Sequence, residues 1–329
     1  MPAIAHQNKI LGNGALVDDT TTSADKTWSS SKINTELGLK ANSADVPTKA
    51  QITNPNLLDN PWFTVNQRGQ NSYTGLNNVY FLDRWKVDGD MTEYTFSPTS
   101  NGLEISCVGA PTHNRFFLQK IENNVLEGEK TYTISVLIRS NVSTRAELQV
   151  RNNGSFVFGS GFDVTTGWQV VSFTGTMPSS LSNVDVRIYP NYSKVADATV
   201  YIRAIKLEKG SISTLAMDTI PNYASELLKC QRYFIRTSIV NTGFLGIAVA
   251  QNANYALVSI PVMNIRTTPT VTLNGSLLAG TIAVENMQYY SRLATSIMLR
   301  LNATGLFTTN NSYSVTASGA STIDISADL

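Results

Sequence analysis

Residues 131–140 read TYTISVLIRS, and their alternation decides the class of fold. Tyr132, Ile134, Val136 and Ile138 fall on one side of an extended chain, with Thr133, Ser135, Leu137 and Arg139 on the other. Working outward, AELQVR sets Ala146, Leu148 and Val150 against Glu147, Gln149 and Arg151. VDVRIY sets Val184, Val186 and Ile188 against Asp185, Arg187 and Tyr189. Turn signals such as Asn152-Asn153-Gly154 and Thr166-Gly167 separate the runs. Half-buried strands at this spacing point to an antiparallel sandwich rather than a parallel α/β sheet. In TVYIRAIKLEKG the phase slips between Ile202 and Ile205, which predicts a β-bulge.

After this β-region comes PNYASELLKCQRYFIR, residues 221–236. Tyr223, Leu227, Cys230 and Phe234 recur at helical spacing and share one face. Glu226, Lys229 and Arg232 fall on the other side, where Glu226 can pair with Lys229 one turn on. Asn222 is the candidate N-cap, and the β-branched run from Ile235 ends the pattern. The helix reads as a joint between two β-regions, or as a core-packing helix inside one large domain. Beyond it Ala256, Val258, Ile260 and Val262 alternate, and Val271 and Leu273 lead into an Asn274-Gly275 hairpin turn. Ile297, Leu299 and Leu301 make a further strand, and Val315, Ile323 and Ile325 close a second, smaller sandwich or knob.

Residues 1–20 carry little periodicity and read as an arm that orders against a partner. Between residues 21 and 53, Ile33 and Leu37 lie one turn apart, with Trp28 upstream and Ser29 to Ser31 as candidate caps. A helix of two or three turns buries too little to persist alone. A parallel bundle of copies would stabilise it, and a homotrimer is the expectation. A flexible linker is the other reading of the same residues.

The 329 residues leave room for two compact domains and an extension. Only 15% are charged and the formal net charge is +1, so electrostatics makes no case for nucleic acid or an anionic membrane. No apolar run reaches the length of a transmembrane helix, and the N-terminus shows no signal-peptide pattern. Cys107, in a strand-like run, and Cys230, on the helix, read as small buried apolar groups. With two cysteines and two histidines, a disulfide framework is excluded and a zinc site is not expected.

Several stretches resemble known families. NLLDNPWFTVNQRG (Asn56 to Gly69) with DRW (Asp83 to Trp85) resembles the opening of a domain of many bacteriophage fibre and receptor-binding proteins. GWQVVSFTGTM (Gly167 to Met177) with ATVYIRAIKLEKG (Ala198 to Gly210) is similar to the closing strands of jelly-roll carbohydrate-binding modules. ELLKCQRYF followed by SIPVMNIRTTPTV (Ser259 to Val271) resembles the helix and C-terminal domain that end many phage tail proteins. VDDTTTSADKTWSSSKI (Val17 to Ile33) resembles the attachment end of trimeric phage head and tail fibres. Such modules often carry a structural calcium. Asp59 and Glu208 could contribute oxygens to it, but Arg203 and Ala204 stand where an acidic pair is common and Thr64 where Glu is often found, so no metal and no cofactor is the expectation.

No constellation supports catalysis: His6 and His113 lack a neighbouring nucleophile, and the acidic residues are scattered. Glycan binding needs an aromatic face and planar polar groups. The non-core side of the strands offers Arg139, Gln149, Arg151, Asp185, Arg187 and Tyr189, and the adjacent turn adds Asn191 and Tyr192; Gln149, Arg151, Arg187, Tyr189, Asn191 and Tyr192 are the expected glycan-binding residues. An ordinary solvated sheet face has the same composition. Trp62, Trp85 and Trp168 read as core.

The expected fold is mainly β: a jelly-roll sandwich and a smaller C-terminal β-domain, with a short N-terminal helical oligomerisation segment and one joint helix. The segments are an attachment arm (1–20), a helical bundle or linker (21–53), a carbohydrate-binding-like domain (54–212), the joint helix (213–236) and the knob (237–329). Trp28, Ile33, Leu37, Leu227 and Phe234 are the expected oligomerisation residues. The expected function is a non-enzymatic bacteriophage virion fibre of the tail-fibre type, assembled in the host cytoplasm, that binds host-surface glycan or another receptor and contacts other virion proteins through its arm. A head fibre is the alternative within that class. A polysaccharide-degrading tailspike is the alternative of another class.

Overall fold

The computed structural model describes residues 9–11, 15–17, 53–262, 265–293 and 295–328. The chain forms two compact units, Met1–Thr53 and Asn54–Leu329. In the first, β1 (Lys9–Leu11) and β2 (Ala15–Val17) pair antiparallel, within the arm that showed no periodicity. The expected helix with Trp28, Ile33 and Leu37 lies outside the described residues.

The second unit opens with a sandwich. Its first strands are β3 (Tyr80–Leu82), β4 (Trp85–Asp88), β5 (Tyr94–Thr99) and β6 (Gly102–Cys107). Then come β7 (Phe116–Lys120), β8 (Thr131–Ser140), β9 (Thr144–Asn152) and β10 (Ser155–Val164). It ends with β11 (Gln169–Thr176), β12 (Val184–Tyr189) and β13 (Thr199–Lys209). One sheet runs β10-β9-β12-β7-β4-β3 and the other β11-β8-β13-β6-β5, with every pairing antiparallel. The fold is therefore the antiparallel β-sandwich expected. Ile134, Val136, Ile138, Leu148, Val150, Val186 and Ile188 all face the core. Trp85, Phe81, Phe96 and Phe117 meet there in tilted and edge-on contacts, with ring centroids 4.8–5.9 Å apart. The bulge falls between Ile202 and Ala204. There the Ile202 carbonyl comes so close to Gly102 (φ +114°) that a Cβ would lie 2.3 Å from its oxygen, so only glycine fits.

One expectation about β8 fails. Thr133 and Ser135, assigned to the solvent side, are buried. The chain that follows β13 returns over this end of β8: Thr133 Oγ1 donates to the Gly210 carbonyl (2.8 Å), and the short turn Leu215–Met217 packs on β8. Beside it, the chain from Leu57 to Pro61 crosses to β13, bonding Leu57 N–H to the Leu207 carbonyl (2.8 Å) and Ile205 N–H to the Pro61 carbonyl (3.0 Å). The side chain of Asn60 organises that crossing. Its amide donates to the Val65 and Asp83 carbonyls, and its oxygen accepts the Val65 N–H. Trp85 Nε1 donates to the Asn60 carbonyl at 2.9 Å, so the NPWF and DRW segments are one interlocked structure.

Helix α1 (Tyr223–Cys230) is shorter than the predicted pattern. Asn222 caps it, accepting the Ser225 N–H at 3.2 Å. Its buried face differs from the expected one: Cys230 and Glu226 are buried, Leu227 is half-buried and Tyr223 is 53% exposed. Phe234 is buried too, but as the first residue of a strand. Chain reversal through Gln231 to Tyr233 breaks the helical register before Phe234 is reached.

The second sandwich begins with β14 (Phe234–Ile239), β15 (Phe244–Asn252), β16 (Tyr255–Pro261) and β17 (Thr270–Asn274). It continues with β18 (Leu277–Ala279), β19 (Ile282–Ala283), β20 (Asn286–Arg292), β21 (Ser296–Asn302), β22 (Ser312–Ala317) and β23 (Ser321–Ser326). One sheet runs β14-β23-β17 and the other β19-β18-β22-β15-β16-β21-β20. Asn274-Gly275 is not a hairpin turn: β17 pairs with β23, whereas β18 pairs with β22 and β19. The dipeptide carries the chain from one sheet to the other, and Gly275 (φ +108°) lets the backbone pass Ser321. The two sandwiches are tied through their polar faces. Arg68 pairs with Asp328 at 2.9 Å, Gln67 Nε2 donates to the Phe234 carbonyl at 2.7 Å, and the Arg84 guanidinium stacks 3.5 Å above the Tyr233 ring.

Candidate functional site

On the outer face of the six-stranded sheet, β9 and β12 lie side by side. Arg187 stands opposite Gln149, Asp185 opposite Arg151 and Tyr189 opposite Glu147. The register therefore brings Gln149, Arg151, Arg187 and Tyr189 to one side of the sheet, as their alternation predicts, with Gln149 buried among its neighbours. Asp185 grips Arg187 with both oxygens, at 2.5 and 3.0 Å. Arg151 donates to the Gly154 carbonyl and to Gln149 Oε1, and Gln149 donates in turn to Glu147. The polar groups are thus held in fixed positions by one another. Burial lowers the proton affinity of Arg187, but its bonds to Asp185 outweigh this and raise it above the usual arginine value.

Aromatic rings continue the face. Tyr189 lies 4.9 Å from Phe116 on β7 and meets Tyr192 edge-on at 5.9 Å. Tyr192 is 38% exposed and belongs to this surface. Asn191 does not. It is buried at 3% exposure, accepts bonds from Thr144 Oγ1 and Val195 N–H, and donates to the Val195 carbonyl. Its amide staples a loop whose backbone groups need partners, so it is structural rather than ligand-facing. Beside Gln149 on the edge strand stands Gly159 (φ +131°), where a Cβ would meet the Leu148 carbonyl at 2.1 Å. That stretch of the edge therefore presents backbone rather than a side chain.

The opposite sheet carries a feature that sequence reasoning assigned to the core. Trp168 is 41% exposed, because it stands just before β11 on the outer side. Arg139, Tyr201 and Glu104 lie in successive neighbouring strands, with Tyr201 paired to both Arg139 and Glu104. The Arg139 guanidinium sits 4.0 Å from the Tyr201 ring and 5.3 Å from the Trp168 ring. Together with Arg203 and Asn101 they line a cleft of about 270 Å³. The outward phase of Arg139 was readable; the exposure of Trp168 was not, because a tryptophan beside a strand is more often buried.

Asp59 and Glu208, the oxygen donors that a structural calcium would need, do not fit that ion. Asp59 pairs with Arg84 at 3.0 Å. Glu208 is fully buried and accepts the Thr214 N–H (2.7 Å) and hydroxyl (2.6 Å). Lys206, also fully buried, sets its ammonium 3.8 Å from Glu208 and 2.6 Å from Asp218. A lysine thus supplies the charge that a divalent ion would. Among the described residues no three His, Cys, Asp or Glu side chains cluster as a metal site. His113 is exposed and contacts the Thr112 hydroxyl.

No protein-family model and no curated protein matches this sequence. Solved structures do resemble part of it. One described as "CBM4 structure and function" is 20% identical, covering 46% of this chain and 99% of its own, at a TM-score of 0.34. TmCBM61 in complex with β-1,4-galactotriose is 15% identical, covering 47% and 99%, at 0.31. The CBM22-1 xylan-binding domain of Xyn10C from Paenibacillus barcinonensis is 12% identical, covering 49% and 98%, at 0.31. Likeness at this level assigns no ligand to this chain.

Proposed function

We propose that the chain is a bacteriophage fibre protein whose larger sandwich binds host-surface glycan through the outer face of β9 and β12. The observation that carries the binding is the fixed row of Arg151, Arg187 and Tyr189, with buried Gln149 bracing Arg151 from behind, beside the Phe116–Tyr189–Tyr192 aromatic strip. The aromatic rings suit the C–H surface of a pyranose, and the pre-oriented planar groups suit its hydroxyls or an acidic sugar's carboxylate. The fibre role rests on the order along the sequence of the three phage-like segments and the module-like one between them. In this reading the arm docks on the particle, in the tail or on the head, and residues 20–45 assemble three copies. Weak single sites then gain avidity from repetition. Light scattering on the full chain should give the mass of a trimer. A monomer at micromolar concentration contradicts the assembly. Retention on host cells tests the binding: the wild-type chain should be held, and a Tyr189→Ala/Arg187→Ala variant released.

A further inference from the structure

We propose a second ligand site, on the opposite sheet: the cleft between Trp168, Arg139, Tyr201 and Arg203 takes a carboxylated sugar. Three observations carry this. First, the cleft is built across neighbouring strands, so its parts are held by the sheet rather than by a loop. Second, its cations are available. On the β9–β12 face Arg187 is clamped by Asp185 and Arg151 by a carbonyl. Here neither the Arg139 nor the Arg203 side chain forms a hydrogen bond or ion pair with a described residue; both lie against aromatic rings instead, and Arg139 Nε is buried without an acceptor. Buried donors of native proteins normally have partners, and one that lacks any is a place for a ligand's acceptor. Third, Trp168 is the exposed tryptophan among those described, since Trp62 and Trp85 are buried. An exposed indole beside open guanidinium groups combines a stacking surface with carboxylate donors. The cleft's own carboxylate, Glu104, lies beyond Tyr201 in the strand order, where it can accept sugar hydroxyls. Two arginines against one glutamate leave the cleft net positive, which favours an acidic saccharide over a neutral one. Its volume of about 270 Å³ suits one or two sugar rings.

The test is calorimetric titration of the full chain with a galacturonic acid trimer and, separately, with its neutral methyl ester. The acid should bind saturably and at least about tenfold more tightly than the ester. In a chain that already carries Tyr189→Ala/Arg187→Ala, so that the β9–β12 face does not contribute, Trp168→Ala should abolish the binding. Arg139→Gln should weaken it about tenfold or more, with an unchanged melting temperature showing that the fold persists. The idea is overturned if the acid does not saturate, if the ester binds equally well, or if both folded variants keep wild-type affinity.

Discussion

Glu226 on α1 accepts the backbone N–H of Asn60 at 2.9 Å, linking two residues 166 positions apart. The same carboxylate pairs with Lys229 at 2.5 Å, and its side chain is almost wholly buried. The helix is thereby fastened to the segment that crosses the larger sandwich.

Replacing Glu226 by Ala leaves the Asn60 amide without its acceptor in a buried place. The expected cost is about 1–3 kcal/mol, read by chemical denaturation. Phe234→Ala should cost more, about 3–5 kcal/mol, because the ring is buried under the Arg68 guanidinium at 3.9 Å. Leu227→Ala should cost less than about 2 kcal/mol, since Leu227 is only half-buried. The reverse ranking would mean that α1 docks through its Leu227 side.

Glu122 gives a pH signature to the same junction. Burial pushes its carboxyl up. The Tyr233 hydroxyl (2.9 Å) and the Arg232 guanidinium (3.1 Å) outweigh that and hold it below the usual value. A depressed folded value means that the unfolded chain binds more protons, so this stabilisation is full above the unfolded pKa of about 4.3. It is lost as pH falls through the folded value. Asp83, raised by burial, acts with the opposite sign, and its penalty is relieved on acidification. The stability gap between wild type and Glu122→Gln should be wide above about pH 5 and shrink towards pH 3. Thermal melts across that range check it, and a constant gap would contradict it.

Both cysteines should be inert in the native protein. Burial pushes the Cys230 thiol well above its usual value, and the nearby Asp83, Asp59 and Glu226 carboxylates add to it. Burial raises Cys107 likewise. A disulfide reagent near pH 8 should therefore titrate almost no thiol until denaturant is added. Fast reaction of the native chain would show that these sites open.

What the sequence made legible was the alternation of β8, β9, β12 and β21, because one core face imposes a period of two whatever the partners. The slip after Ile202 was legible for the same reason, as a break in that period. Asn222 could be read as a cap because capping is local. What was not legible depends on distant chain. Thr133 is covered by chain 77 positions downstream, where its hydroxyl donates to the Gly210 carbonyl, and Glu226 is held by the distant Asn60 N–H. Asn274-Gly275 has hairpin chemistry, but the strand that pairs with β17 is β23, at the end of the chain. Of the proposed binding face, phase put Gln149, Arg151, Arg187 and Tyr189 on one side of the sheet. It misplaced Asn191, whose loop bonds are invisible to phase, and it gave no sign that Trp168 faces solvent.

The most direct measurement of the central claim compares wild type with the Tyr189→Ala/Arg187→Ala variant on a glycan array. Both proteins are first shown to be folded by their melting profiles. Glycan binding at the β9–β12 face predicts a spot pattern for wild type that falls at least about tenfold in the variant, as expected when an aromatic anchor and its arginine are removed together. An identical pattern and intensity from both proteins would contradict it.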